Sequence, residues 1–406
     1  MAARAESIFR NRSFSLYYAG QALSFVGDGL RIIAIPLLVY HLTGSALAIG
    51  VTYALELGPF ALMGLVGGSL ADRTDRRRLM LACDFVRFAI MALFALGYAT
   101  HTLQLWMLYS GIAIISACAA IFVGGQASAI PYLLGKDRAT KAYAALLAAE
   151  QSSQMILPPI GGALFAVIGP LPALAINAIT YLCSQASLAA VETFGPDEPH
   201  GWPSPRTVVA DVALGFRSLM ADASLRAVSL NSLTFNFFGF MTGAVFIPFL
   251  KRDFGASDLV VGYALGIGAI GAVIGSYLGG HVPKSWPFGR TIAIAYVVDG
   301  ILFVPVMFTH NFAVALFFLT LTNVCVLFEI TQLIGWRIRV IPDELIGRVT
   351  GAARLISLAG TVPGAILGGY LGDHFGARTP IIASGFGYIA MALMVWTSPA
   401  LRREAR

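Results

Sequence analysis

Charged side chains are scarce in this chain. Only 12% of its 406 residues are Asp, Glu, Lys or Arg, while 57% are hydrophobic. A soluble globule carries about 25% charged residues, so that class is excluded. Cysteine is as sparse: Cys83, Cys118, Cys183 and Cys325 lie far apart inside apolar runs, without partnering histidines. That pattern excludes a disulfide framework and a cysteine-based metal site, and the four read as small buried hydrophobes. Catalytic motifs are missing as well. There is no HExxH, no phosphate-binding glycine loop with its lysine and no Ser-x-x-Lys. Nothing points to an enzyme, a metal or a cofactor. The net charge of +6 suggests nucleic acid only until its location is seen, in short loops between apolar runs.

Those runs are the main feature. Membrane spans are expected at 14–41, 46–71, 79–99, 103–126, 141–168 and 172–191, then at 224–250, 258–282, 290–309, 312–335, 349–372 and 378–397. Twelve spans of ~20 residues each suit a ~30 Å hydrocarbon layer. The run from Phe14 onward is too long for a signal-peptide core and reads as a retained first helix. With the N-terminus inside, 22 of the 27 Lys and Arg fall on inside segments and three on outside loops. Positive charge marks the cytoplasmic side, so both termini are expected in the cytoplasm. The longest gap, 192–223, begins as a proline-rich linker. It continues over 207–220 with Val208, Val209, Val212, Phe216, Leu219 and Met220 on one face, an amphipathic helix for the inner membrane surface.

The two halves repeat. TGSALAIG at 43–50 aligns with GASDLVVG at 255–262, and at the same offset Gly67-Gly68 meets Gly279-Gly280. Later, GGALFAVIG at 161–169 aligns with GGYLGDHFG at 368–376. The expected fold class is therefore an all-α membrane protein of twelve transmembrane helices in two pseudo-symmetric six-helix bundles. Its domains would be 1–191, a cytoplasmic linker 192–223, and 224–406.

Between spans 2 and 3 stands GGSLADRTDRRR, Gly67 to Arg78. An acid, Asp72, follows Gly68 at a fixed distance, and Arg73, Arg76, Arg77 and Arg78 follow the acid. The spacing resembles the signature loop of the major facilitator superfamily of secondary transporters, with Asp75 where that family usually has glycine. SFVGDGLRIIAIPLLVYHLTGSALAIG and DVALGFRSLMADASLRAV extend the resemblance to the branch of enterobactin-exporter-like and macrolide-efflux-like proteins. Two departures are visible. WMLYSGIAIISACAAIFVGG lacks the arginine common on the family's fourth helix. The helix-5 antiporter motif appears as LPPIGG, with Leu157 before Pro158, Gly161 and Gly162. The resemblance implies a monomeric bacterial inner-membrane carrier that exports a small amphipathic molecule by alternating access, driven by protons. The alternatives are an uptake carrier on the same fold and, more distantly, a multi-spanning enzyme or receptor. The resemblance also implies a gating loop of Gly68, Asp72, Arg73, Arg76 and Arg77, with Asp72 at the cytoplasmic end of span 2, where that end abuts the start of span 11.

An ionised residue at mid-bilayer costs about 2.5–3.5 kcal/mol on insertion scales, so each one asks for a reason. In span 1, Tyr17, Gln21, Ser24, Asp28 and Arg31 form one stripe. In span 10, Thr322, Cys325, Glu329, Gln332 and Trp336 form another, and span 7 adds Asn231. The resemblance places these spans around a central cavity, making Gln21, Asp28, Arg31, Asn231, Glu329 and Gln332 candidates for substrate and proton handling. Asp28 can equally be neutralised by Arg31, three residues on. Glu329 has no basic residue within a turn. Glu56 and Glu150 fall on spans at the seam between halves and suit function or helix packing equally. Asp84, Arg87 and Asp299 read as structural, Asp84 paired with Arg87. Glycines every four residues on span 8 (Gly271, Gly275, Gly279) and span 11 (Gly360, Gly364, Gly368, Gly372) predict close helix contacts.

Overall fold

The structure is a computed structural model that describes residues 8–71, 74–191, 213, 216–283, 285–341 and 346–398. Among these residues there is no strand. A short 3₁₀ turn, Ile8–Arg10, leads into six long helices: α1 Arg12–Thr43, α2 Ala46–Ala71, α3 Arg76–Ala99, α4 Leu105–Leu134, α5 Lys136–Ile168 and α6 Leu171–Ala189. Six more follow: α7 Ala223–Phe254, α8 Asp258–Gly280, α9 Phe288–Phe308, α10 Phe312–Val340, α11 Ile346–Phe375 and α12 Arg378–Thr397. Eleven of the twelve are long and apolar enough to cross a membrane. The exception is α5, whose first turns carry Lys136, Asp137, Arg138 and Lys141. Large apolar side chains such as Leu93, Val167, Phe308 and Phe386 face outward, as a lipid-facing surface requires. The linker and most of the expected 207–220 helix lie outside the described residues; 216–221 is helical.

The repeat is visible in the backbone. Gly44 closes α1 and Gly255 closes α7, each with φ of 64°, a left-handed conformation that glycine adopts without strain. Gly169 and Gly376, aligned in the sequence repeat, follow α5 and α11 with positive φ of 78° and 87°. Pro36 and Pro248 interrupt α1 and α7 at matching positions.

Packing divides the described residues into two compact units, one within 1–35 and 59–208, the other within 36–58 and 209–406. In the first, α3 packs on α4 and α6, and α5 on α4 and α6. In the second, α7 packs on α11 and α12, α8 on α10, and α9 on α10 and α12. The segment 36–58, the end of α1 and start of α2, groups with the second unit although it precedes the sequence midpoint. The physical reason is a cap. Asp373 near the end of α11 accepts from the backbone N–H groups of Ala46 and Leu47, both at 2.9 Å, and from Ser45 Oγ at 2.5 Å. It thus satisfies the free donors at the start of α2.

The glycine rows make close crossings. A methyl group on Gly275 would sit 2.0 Å from the Val324 carbonyl oxygen, and one on Gly271 2.4 Å from that of Thr320. On α11, methyls at Gly360, Gly364 and Gly368 would meet carbonyl oxygens of α7 at 2.0, 2.1 and 2.3 Å. Helix–helix association in lipid relies on such contact, since tails are as apolar as leucine.

Candidate functional site

In the first unit, α1 lies close to α6 because two glycines face it. A methyl on Gly20 would fall 1.8 Å from Ser187 Oγ, and one on Gly27 2.0 Å from Thr180 Oγ1. The polar stripe of α1 is thereby pressed into the polar face of α6. Gln21 donates to Ser184 Oγ at 2.9 Å, and Ser184 donates to Asp84 at 2.7 Å. Asp84 takes the Arg87 guanidinium as its ion-pair partner, as the i, i+3 spacing leads one to expect. Arg87 lies between the rings of Phe122 on α4 and Tyr181 on α6, at 4.6 and 4.7 Å. The Tyr181 hydroxyl donates to Asp28 at 2.5 Å, and Arg31 Nε stands 3.6 Å from the same carboxylate.

Every acid in that network has a donor or a cation. Breaking a buried pair on one side costs about 3–5 kcal/mol, because the remaining charge stays buried. The first unit therefore holds Gln21, Asp28 and Arg31 in one continuous network with Asp84 and Arg87.

The second unit is arranged differently. Asp299 on α9 and Glu329 on α10 are both 0% exposed. None of their four carboxyl oxygens has a hydrogen-bond partner among the described residues. The two acids are near enough to act on each other electrostatically, and both act on Tyr296, Tyr388 and Cys325. Asn231 of α7, 2% exposed, accepts from the Tyr296 hydroxyl at 2.6 Å, while its Nδ2 has no partner among the described residues. Arg337, two turns beyond Glu329, donates to Ser232 Oγ at 2.8 Å. Gln332 is engaged elsewhere, donating to the Gly279 carbonyl at 2.6 Å and fastening α10 to the end of α8. Asp299, read from the sequence as a peripheral structural acid, instead accompanies Glu329.

The remaining candidates are dispersed. Gly68 lies in α2, whereas Asp72 and Arg73 fall outside the described residues. Arg76 lies over the Tyr132 ring at 4.9 Å, and Arg77 donates to the Ala189 carbonyl. Asp75 caps α3, accepting from the Arg78 N–H at 3.1 Å, which gives the acid in the glycine position a local purpose. Glu150 accepts from Gln154 at 3.3 Å, and Glu56 is half-buried on α2. Pro158, Gly161 and Gly162 are buried on α5. A methyl on Gly161 would press on Ile33 of α1 at 2.8 Å, so this motif sets the α1–α5 approach.

Residues 17–364 match the Major Facilitator Superfamily. The chain belongs to that superfamily. As a superfamily transporter it has full-length relatives. It is 26% identical over 410 residues to the multidrug efflux pump Tap of Mycobacterium tuberculosis, covering 97% of this chain and 94% of that protein. It is 24% identical over 398 residues to the enterobactin exporter EntS of Escherichia coli, covering 94% and 91%. Its fold is shared with a bacterial homologue of the lysosomal transporter Spinster, with a TM-score of 0.76, 13% identity and 99% of each chain covered. A bacterial ferroportin homologue follows at a TM-score of 0.72 and 14% identity, over 95% of this chain and 100% of that one. The transporter is thus an all-α, multi-pass membrane protein.

Sequence reasoning missed one set of residues. Lys251 pairs with Asp258 at 2.6 Å, and His41 meets the same carboxylate at 3.1 Å. Arg252 joins Asp373 at 3.1 Å. The available signal was positional: acids and bases placed at the ends of apolar runs, where helix termini need them.

Proposed function

We propose that this transporter exports a small amphipathic molecule in exchange for protons, by alternating access. The observation that carries the reading is the Glu329 carboxyl, wholly buried and uncompensated among the described residues, in a chain whose full-length relatives above are named efflux proteins. A carboxyl so placed is stable mid-membrane when protonated and costly when ionised, which suits a group that loads and releases a proton as it changes sides. Gln21, Asp28 and Arg31 in the first unit, and Asn231 beside Glu329 in the second, are the polar groups assigned to substrate and proton handling, and Glu56 and Glu150 serve the moving helices. The loop of Gly68, Asp72, Arg73, Arg76 and Arg77 acts as the gate.

The sequence halves 1–191 and 224–406 work as two bundles joined by 192–223, in a monomer of the bacterial inner membrane with both termini in the cytoplasm. The charge asymmetry supports that orientation.

Everted membrane vesicles loaded by respiration, with ethidium as the probe, test the reading. An imposed inward-acidic gradient is expected to drive ethidium into vesicles that contain the protein, and a proton–potassium exchanger is expected to abolish that uptake. Uptake that ignores the proton gradient overturns proton coupling.

A further inference from the structure

The sequence marks Glu329 alone; the fold supplies its partner. We propose that Asp299 and Glu329 form a single proton-binding site in the second unit, shared between α9 and α10. The site alternates between a pair holding one proton and a pair holding two. In loading, a carboxylate oxygen takes up a proton and the pair becomes neutral; in release the O–H bond breaks and one negative charge returns.

Four observations place a site here. Both carboxyls are wholly buried, and no ion pair or hydrogen bond neutralises either one among the described residues. They lie near enough to interact electrostatically, on helices α9 and α10 that pack against each other. Asn231 brings to the same cluster a buried amide Nδ2 with no partner of its own, tied through its oxygen to Tyr296, on which both acids act. A cavity of about 230 Å³ lies between the same two helices, lined by Ala295, Val298, Cys325 and Phe328, which flank the two acids. The cavity surface those residues present is apolar.

The titratable groups around the pair are neutral donors or a remote cation. Tyr296 comes from α9, Cys325 from α10 and Tyr388 from α12. The Tyr296 hydroxyl is spent on Asn231, and an Arg337 N–H is spent on Ser232. With no cation at the carboxyls among the described residues, a doubly ionised pair would bury two uncompensated charges. The pair therefore retains a proton in the resting protein. Asp84, equally buried, has Arg87 and needs none.

This inference deepens the proton-coupled reading and gives it a second residue, yet protonation of the pair stands apart from transport. Infrared difference spectra of the full-length protein in lipid, recorded between acidic and alkaline buffer in H₂O and D₂O, read protonated carboxyls directly. A protonated-carboxyl band at neutral pH is expected, sensitive to D₂O, lost or displaced in both Asp299→Asn and Glu329→Gln. Each variant is expected to move the titration of the remaining acid by tenfold or more in proton concentration. Asp299→Glu, which keeps the carboxyl, retains the band at a shifted position and covers the case in which an amide variant does not fold. A band identical in all three variants, or its absence from the wild type at neutral pH, overturns the site. Proton flux from ethidium exchange in proteoliposomes separates the two readings. The pair-dependent band without proton flux sinks proton-coupled export and leaves the site standing. Proton flux that persists unchanged in Asp299→Asn, with the band unmoved, sinks the site and leaves export standing.

Discussion

Asp84 on α3 and Asp299 on α9 are the same residue type, each on the third helix of its half and each wholly buried. One has the guanidinium of Arg87 and the hydroxyl of Ser184; the other has no partner among the described residues. The difference extends to their neighbourhoods. Asp28 in the first unit takes a hydrogen bond from Tyr181, whereas Tyr296 in the second gives its hydroxyl to Asn231 and leaves the acids bare. Burial alone therefore says little about an acid in a membrane. What matters is whether a fixed positive charge accompanies it, since a buried charge without one is costly.

The comparison breaks most sharply if Arg87 is removed. Arg87→Met leaves Asp84 with the Ser184 hydroxyl but no cation, and is expected to cost about 3–5 kcal/mol. Thermal unfolding in detergent should show a large loss, and adding Asp84→Asn should restore most of it. If the single variant unfolds like wild type, the first-unit network carries no weight.

Next in size is the effect on transport of the second-unit acids. Glu329→Gln is expected to reduce gradient-driven ethidium export tenfold or more with thermal stability kept or raised, since it removes a need for a buried proton. Asp28→Asn is expected to weaken export while lowering stability, because Tyr181 and Arg31 lose a charged partner. Equal behaviour of the two variants in both assays would erase the distinction between the units.

Tyr181→Phe sharpens the contrast by taking one donor from Asp28 while leaving Arg31 in place. An unsatisfied buried group costs about 1–3 kcal/mol, and the loss should vanish in the background of Asp28→Asn. Non-additivity measured by a double-mutant cycle checks this. Additive losses would mean that the hydroxyl and the carboxylate do not depend on each other.

The smallest effect is expected where helix ends, not mid-helix acids, are held. Asp373→Ala removes the cap on α2, worth about 0.5–2 kcal/mol, and frees Arg252. Hydrogen exchange at Ala46 and Leu47 should accelerate while the amides of α9 and α10 keep their protection. Unaltered exchange at those two amides would show that the start of α2 has another support.

The composition, the spacing of apolar runs and the arginine-rich loop were enough to read an all-helical membrane transporter of this superfamily. These are one-dimensional properties: a bilayer demands long apolar segments whatever their neighbours, and helices satisfy their own backbone. The stripes on α1 and α10 were legible for the same reason, since helical period alone puts Gln21, Asp28 and Arg31, or Cys325 and Glu329, on one face. The glycine rows were likewise readable as contact faces.

Partnership was not legible. Asp84 with Arg87 sits at i, i+3 and could be read locally, but Ser184, Tyr181 and Gln21 join them only across helix contacts set by Gly20 and Gly27. That Asp299 lies near Glu329 was not legible, because sequence spacing says nothing about which face of α9 meets α10. Gln332 looked available until its amide was found on Gly279. By itself the sequence determined that acids would be buried in a membrane, because hydropathy and helical period are properties of the chain. Which of those acids found a countercharge was decided only by tertiary structure, because a salt bridge or hydrogen bond depends on distances of a few ångströms between helices far apart in sequence.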